Sequence, residues 1–261
     1  MARYHAIIVG AGSAGCVLAN RLSACGLRVL LLEAGPDNYP RLNPYTRIPV
    51  GYYHTQMNER YDWCFKTARV PGLNWRTLMY PRGRTLGGSS SVNGMIWVRG
   101  QSDDFDGWAE GLGDDRWRAA RCLPRFEEVE RELGVSHRPR CDMEIHDAGV
   151  RAFLSAAGEV GVRHTGHDDD HDDDHDNDHD DGHPWPLAGM LSSERQAGAG
   201  MLPVSIDENG LRASASVKFL TKDVLARPNL TVISDAVVDK LMFDADASAC
   251  TGVRYTTSSS G

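Results

Sequence analysis

Residues 6–35 read AIIVGAGSAGCVLANRLSACGLRVLLLEAG, and this stretch decides the fold. Ala6-Ile7-Ile8-Val9 is a short apolar run that predicts a strand buried on both faces. It leads into Gly10-Ala11-Gly12-Ser13-Ala14-Gly15, a G-x-G-x-x-G loop. A helix is expected next, with Ala14, Val17, Leu18 and Leu22 on one face and Gly26 ending it. Arg28 to Leu32 reads as a second strand, with Glu33 at its carboxyl end. Together these form a βαβ dinucleotide-binding unit. Gly10 permits the tight turn. Gly12 lacks a Cβ, so a pyrophosphate can approach the backbone, and Gly15 lets helix and strand pack closely. The free N–H groups around Ser13 and Ala14 present partial positive charge to phosphates. Glu33, followed by Ala34, is placed to accept ribose hydroxyl hydrogen bonds. A lone glycine motif would more simply be a turn; two strands, a helix and an acid together favour the dinucleotide. The motif does not separate FAD from NAD.

Outward from this unit, 261 residues suffice for one large domain or two. No run of about 18 apolar residues is present, so no transmembrane helix is expected. The first strand begins so early that no room for a signal or transit peptide is expected. Cys16, Cys25, Cys64, Cys122, Cys141 and Cys250 are scattered without C-x-x-C spacing, which suggests reduced thiols in a cytoplasmic protein. The net charge of −8 is concentrated: His167 to His183 holds ten Asp and no Lys or Arg, and setting those ten aside leaves about +2. No basic patch with interleaved aromatics points to nucleic acid.

Tyr39 to Thr77 is rich in Pro, Tyr, Trp and Asn and reads as a long ordered excursion. Its Tyr52, Tyr53, Tyr61, Trp63, Phe65 and Trp75 could pack against a flat ring system or simply cover a sheet edge. The second informative stretch, Tyr80 to Asp106, reads YPRGRTLGGSSSVNGMIWVRGQSDDFD. Taken alone, Gly87-Gly88-Ser89-Ser90-Ser91 is a Ser/Gly loop with many backbone and hydroxyl donors.

GRTLGGSSSVNGMIWVRGQSDDFD resembles the first signature of the glucose-methanol-choline (GMC) flavoprotein oxidoreductases, and VGAGSAGCVLANRL and LLLEAGP resemble their opening. Asp106-Gly-Trp-Ala, Cys122-Leu-Pro-Arg-Phe-Glu, Gly210-Leu-Arg-Ala-Ser and Arg227-Pro-Asn-Leu-Thr-Val look most like the choline and alcohol dehydrogenase branch. The resemblance covers the chain except about residues 135–205. It implies an α/β fold with a Rossmann-like FAD-binding domain, a parallel sheet with a β-hairpin or meander, plus part of a substrate-domain cap. It also implies that Gly10, Gly12, Ser13, Ala14 and Gly15 hold the FAD pyrophosphate and that Glu33 and Ala34 meet the adenosine ribose. Arg84, Gly87, Gly88 and Ser91 would lie along the cofactor, and Asn93, Gly94 and Met95 would reach the isoalloxazine end. In the family a valine at the place of Val238 contacts adenine through its backbone, which the resemblance carries over to Val238. Some members attach FAD covalently through a His at the position of Val92; a valine has no nucleophilic atom, so non-covalent FAD is expected. The implied substrate is a small alcohol.

Arg116 to Leu133 suits amphipathic helices, with Pro124 starting or kinking one. Val150 to Val162 looks helical, with Phe153, Leu154, Ala157 and Val160 on one face. A His-Gly…Gly-Pro segment that the family often has about here is not found; His146 is either its remnant or simply a solvated loop histidine. His164 to His183 is low-complexity: His167, His171, His175, His179 and His183 recur every four residues among Asp. Aligned imidazoles could bind Zn, yet repelling Asp favours a disordered surface tract, so no metal site is assigned. Residues 210–216 lead into a helix carrying Val217, Phe219, Leu220, Val224 and Leu225. Asn229 to Ser234 is a third parallel strand, and Ala236 to Phe243 with Gly252 to Thr256 a hairpin. The expected division is a discontinuous, incomplete FAD-binding domain, 1–110 and 205–261, and a partial cap region, 111–204, including the tract 164–183. The family's catalytic His lies far toward the C-terminus of a chain about twice this long. No catalytic residue is therefore expected in this chain, which reads as an N-terminal half. The alternatives are a truncated, inactive FAD-binding remnant, an NAD-binding protein, and a metal-binding module built on the His/Asp tract.

Overall fold

The computed structural model describes residues 3–37, 44–135, 144–162, 199 and 203–257. The His/Asp tract lies outside the described residues. In chain order the elements are β1 (Ala6–Val9), α1 (Ser13–Ala24), β2 (Val29–Leu32), α2 (Tyr52–Thr55), β3 (Phe65–Lys66), β4 (Met79–Tyr80), α3 (Ser102–Leu112), α4 (Ala119–Leu133) and α5 (Glu144–Glu159). They continue with α6 (Ala215–Phe219), α7 (Lys222–Leu225), β5 (Leu230–Ile233), β6 (Ala236–Phe243) and β7 (Cys250–Thr257). Two compact units result: Met1–Met95 with Leu211–Gly261, and Ile96–Gly210.

The first unit is built on a parallel sheet of order β1-β2-β5. Ala6 faces Val29 and Val9 faces Leu32, while Val29 faces Leu230 and Leu32 faces Ile233. β2 is Val-Leu-Leu-Leu and every residue is buried, as a central parallel strand with two neighbours requires. β1 departs from the expectation of burial on both faces. Only Ile8 is buried; Ile7 is 36% and Val9 52% exposed. β1 is the border strand, paired with β2 alone among the described residues, and Ile7 and Val9 stay exposed.

The helix face is a second correction. In α1 the buried residues are Gly15, Cys16, Ala19 and Ser23, whereas Ala14 and Leu18 are exposed. The small residues let the helix axis come close to the sheet, and that close contact outweighs the bulk of Leu18. Gly26, at φ +79°, follows the helix as expected. The C-terminal half of α1 is latched by side chains far along the chain. Asn20 Nδ2 donates to Phe219 O at 2.7 Å, and Arg227 Nη1 donates to Asn20 O and Ser23 Oγ, each at 2.7 Å. Asn229 Nδ2 donates to Ser23 O and Leu27 O at 2.8 Å. Leu30, Leu32 and Ala236 form a core cluster joined by Tyr4, Ile233, Val238 and Val253. β6 and β7 pair as the expected antiparallel hairpin.

The second unit is mainly helical among its described residues. α3 opens on a Gln101/Asp104 capping box and ends at Gly113, and α4 ends at Gly134; both glycines are left-handed. Pro124 lies inside α4, which is one continuous element. Phe105 and Ala119 form a core with Cys122, Leu123 and Phe126. Arg99 and Glu130 form a buried ion pair, and Trp97 Nε1 donates to Glu130 Oε1 at 2.7 Å. The apolar face expected over Val150 to Val162 is not packed: Phe153 in α5 is 64% and Val160, just past its end, 78% exposed, while Leu154 and Ala157 are half-buried. No helix among the described residues is long and apolar enough to cross a membrane.

The bare side of β1 should govern solution behaviour. An uncovered apolar border strand is a template for self-association. Ile7→Lys should shift the chain toward monomer in sedimentation velocity, with stability within about 0.5 kcal/mol of the parent, as for an exposed position. Val29→Lys, which buries an unpaired charge in the central strand, should abolish cooperative unfolding.

Candidate functional site

The two glycine-rich stretches meet backbone to backbone at the carboxyl end of the sheet. Gly10 has φ +91° and donates its N–H to Leu32 O at 2.7 Å, so the chain turns directly off the strand. A Cβ on Gly15 would overlap the Gly10 carbonyl oxygen, so the turn and the helix can touch only without one. At Gly12, by contrast, a Cβ would meet nothing within 4 Å. Gly12 caps α1 without any side-chain cap, and no acidic residue stands in the first turn. The N-terminal N–H groups of α1 therefore keep their affinity for an anion.

The second stretch packs onto this turn. Gly87, at φ +87°, donates its N–H to Ala11 O at 2.7 Å. A Cβ on Gly88 would lie 2.8 Å from the Gly12 Cα, and Cβ atoms on Gly83 and Gly35 would overlap the Gly88 and Arg84 carbonyls. Ser91 Oγ donates to Leu86 O at 2.8 Å and Ser90 Oγ to Gly87 O at 2.6 Å, so these hydroxyls hold the loop's own shape.

Glu33 is 5% exposed. Its Oε2 accepts from Ala11 N at 2.8 Å and its Oε1 from Gly35 N at 2.9 Å. One carboxylate thus ties the first glycine turn to the end of β2. Burial pushes its pKa above the ordinary 4.5, opposed by the N–H groups of Gly35, Ala11 and Ala34 and by the charge of Arg84. Each oxygen keeps a lone pair for a further donor. Beneath the same turn, Cys16 is fully buried with Sγ 3.1 Å from Ala11 O, and burial drives its thiol up to about 12.

A cleft of about 440 Å³ opens beside these groups, within the size range of small-molecule sites. Its lining brings together Gly10, Gly12, Ser13, Glu33, Ala34, Gly88 and Val238 from the residues singled out in the sequence. Ala14, Gly15, Arg84, Gly87, Ser91, Asn93, Gly94 and Met95 do not line it. Gly15 and Gly87 instead shape the turns behind it. The Arg84 guanidinium lies 5.3 Å over the Trp63 ring, and its Nη1 donates to Glu59 O at 3.2 Å. Met95 is buried at φ +65°, its N–H donating to Asn93 Oδ1 at 3.1 Å. Trp63, one of the aromatics considered for a ring contact, does line the cleft. Arg82, Gly83 and Ser89 line it too and were not among the expected cofactor residues, although Gly83 and Ser89 belong to the motif that carries the resemblance. No histidine lines it, and no group of three or more metal-ligating side chains exists among the described residues.

The sequence model of the GMC oxidoreductases matches residues 4–185, and the chain belongs to that family. It is 35% identical over 258 residues to an oxygen-dependent choline dehydrogenase of Paraburkholderia xenovorans, covering 97% of this chain and 42% of that protein. It is 36% identical over 256 residues to an alcohol dehydrogenase [acceptor] of Pseudomonas putida, with 92% and 40% covered. The structure superposes on pyridoxine 4-oxidase from Mesorbium loti with a TM-score of 0.72 at 27% identity, covering 98% of this chain and 46% of that one. The chain thus spans about two fifths of the length of these curated relatives. The α/β architecture with its parallel sheet is the one the sequence implied.

Two sets of variants should separate structure from binding at this site. Glu33→Ala orphans two buried N–H groups and should cost about 1–3 kcal/mol for each in urea unfolding. Because the folded pKa of Glu33 is raised, its contribution is fully present below the unfolded value near 4.5 and is lost as pH rises through the higher folded value. Glu33→Gln should flatten that segment of the stability–pH profile; an unchanged slope would show that the carboxyl does not titrate there. Gly15→Ala should lower stability through the clash with Gly10 O, whereas Gly12→Ala, facing open space, should melt close to the parent by calorimetry.

Proposed function

We propose that this chain binds FAD non-covalently in the cleft and forms the FAD-binding part of an oxidoreductase that moves a hydride from an alcohol CH–OH group to flavin. The observation that carries the reading is the uncapped α1 N-terminus beside Gly12, where the backbone is open to a phosphate, with Glu33, hydrogen-bonded to Ala11 of the same turn, lining the same cleft. Gly10, Gly12 and Ser13 would take the pyrophosphate on backbone N–H groups, with Arg82 adding charge from the same cleft lining. Glu33 would accept the ribose hydroxyls on its remaining lone pairs, and Val238 would edge the adenine. Family membership and the choline and alcohol dehydrogenase relatives support an alcohol as the donor. FAD supplies the hydride acceptor; the chain's own part is to hold and orient it. His5 and His54 are exposed, and no described histidine lines the cleft, so no proton acceptor for the alcohol is assigned among the described residues.

Titration of the purified 261-residue chain with FAD, followed by flavin fluorescence, should give saturable binding, and NAD should not compete. Gly12→Ala, which leaves the fold intact, should weaken FAD by at least tenfold, about 1.4 kcal/mol. Acid precipitation should release all flavin to the supernatant. Absence of FAD binding by the folded chain, or tight NAD binding instead, would overturn the assignment.

A further inference from the structure

The side chain that stands out after the cleft is accounted for is Arg212. It is the largest fully buried side chain in the described residues, at 0% exposure. Such a guanidinium normally has a carboxylate beside it. Among the described residues it has none: Nη1 donates to Asn93 Oδ1 at 2.7 Å and to Ser90 O at 3.2 Å, while Nε and Nη2 have no hydrogen-bond partner. Burial without a counter-charge pulls its pKa down to about 10, so it remains a cation at neutral pH. The backbone around it is fastened as well. Arg212 N donates to Arg47 O at 2.8 Å, Arg47 Nη1 donates to Arg212 O at 2.8 Å, and Ala215 N donates to Ser90 Oγ at 3.0 Å.

The acceptor of its best bond is shared. Asn93 Oδ1 takes the Arg212 Nη1–H and also the Met95 N–H, at 3.1 Å. Met95 sits at φ +65°, a conformation an L-residue adopts only when its surroundings hold it there. The Asn93 side chain is the link that spans the turn, and Arg212 fixes that link from behind. A cation with only these acceptors cannot give them up without leaving its charge wholly unsolvated. The contact therefore resists loosening more than a neutral one would.

We infer that Arg212 is the positioning residue of the 90–95 loop: its buried guanidinium clamps Ser90 and Asn93, and through Asn93 sets the left-handed backbone at Met95. On the reading that Asn93, Gly94 and Met95 reach the isoalloxazine end of FAD, this clamp also sets how the chain presents that backbone to the flavin. Arg212 acts through Asn93 and is not a catalytic residue.

Amide hydrogen exchange on the full chain without added flavin tests the clamp directly. Asn93→Ala, at an exposed residue, removes the acceptor shared by Met95 N and Arg212 Nη1 and leaves the buried cation only Ser90 O. It should speed exchange at Met95 at least tenfold while the β2 amides keep the parent rate. Arg212→Met should do the same, and Arg212→Lys, which retains a donor for Asn93, should restore part of the protection. Unchanged exchange at Met95 in Asn93→Ala would overturn the inference even if Arg212→Met fails to fold. The flavin clause has its own readout: Asn93→Ala should alter the absorption bands of bound FAD relative to the parent complex. Parent-like bands with faster exchange would overturn that clause. If the parent chain binds no FAD, the proposed function and the flavin clause both fail, and the clamp is decided by exchange alone.

Discussion

Everything at the candidate site depends on one close approach, the contact of two glycine turns with no side chain between them. Gly12 meets Gly88, Gly83 meets Gly88, and Gly35 meets the Arg84 carbonyl at separations that a Cβ would close. The Gly87–Ala11 hydrogen bond fastens the pair. Because neither turn carries bulk toward the other, the cleft can be walled by main chain from residues about 75 positions apart. Glu33 completes this arrangement by accepting from both Ala11 and Gly35. Its carboxyl is thus a strut of the turn.

How much of this was legible in the sequence varies with the range of the interactions involved. The β1–α1–β2 unit, the glycine turn and Glu33 follow from short-range geometry: strand, tight turn, helix and acid occupy fixed offsets. β5 and the β6–β7 hairpin were legible for the same reason, as compact β-rich runs between turn residues. Burial was less legible than secondary structure. An apolar run such as Ala6–Val9 says that a strand forms, but only its neighbours decide whether both faces are covered, and here one side has none among the described residues. In α1, hydrophobicity points to Leu18, whereas helix-to-sheet distance selects Gly15, Cys16 and Ala19. α5 errs the same way: a periodic apolar face is a capacity to pack, and Phe153 and Val160 do not use it.

At the site, the residues read from the motifs divide into those that line the cleft and those that build its back. Gly15, Gly87 and Ser91 belong to the second group, and motif spacing cannot tell the two apart because both are needed within a few residues of each other. Arg82 and Arg212 were harder still. Gly210-Leu-Arg-Ala-Ser reads as a lead into a helix, and nothing in it marks the arginine as buried. Its burial comes from partners 119 and 122 residues away, and no local pattern carries that information.

Cys16 gives the glycine turn an unusual chemical property. Its thiol lies directly behind Ala11, fully buried, and its ionisation is driven far above neutrality. Thiolate, not thiol, is the attacking species, so electrophiles and peroxides pass this sulfur by while Cys25 and Cys250 stand exposed to them. The turn that would grip a dinucleotide is thereby backed by a sulfur that stays silent as long as the turn is closed. Once the helix lifts from the sheet, that silence ends, and the rate at which Cys16 is alkylated becomes a clock for the opening of the turn itself.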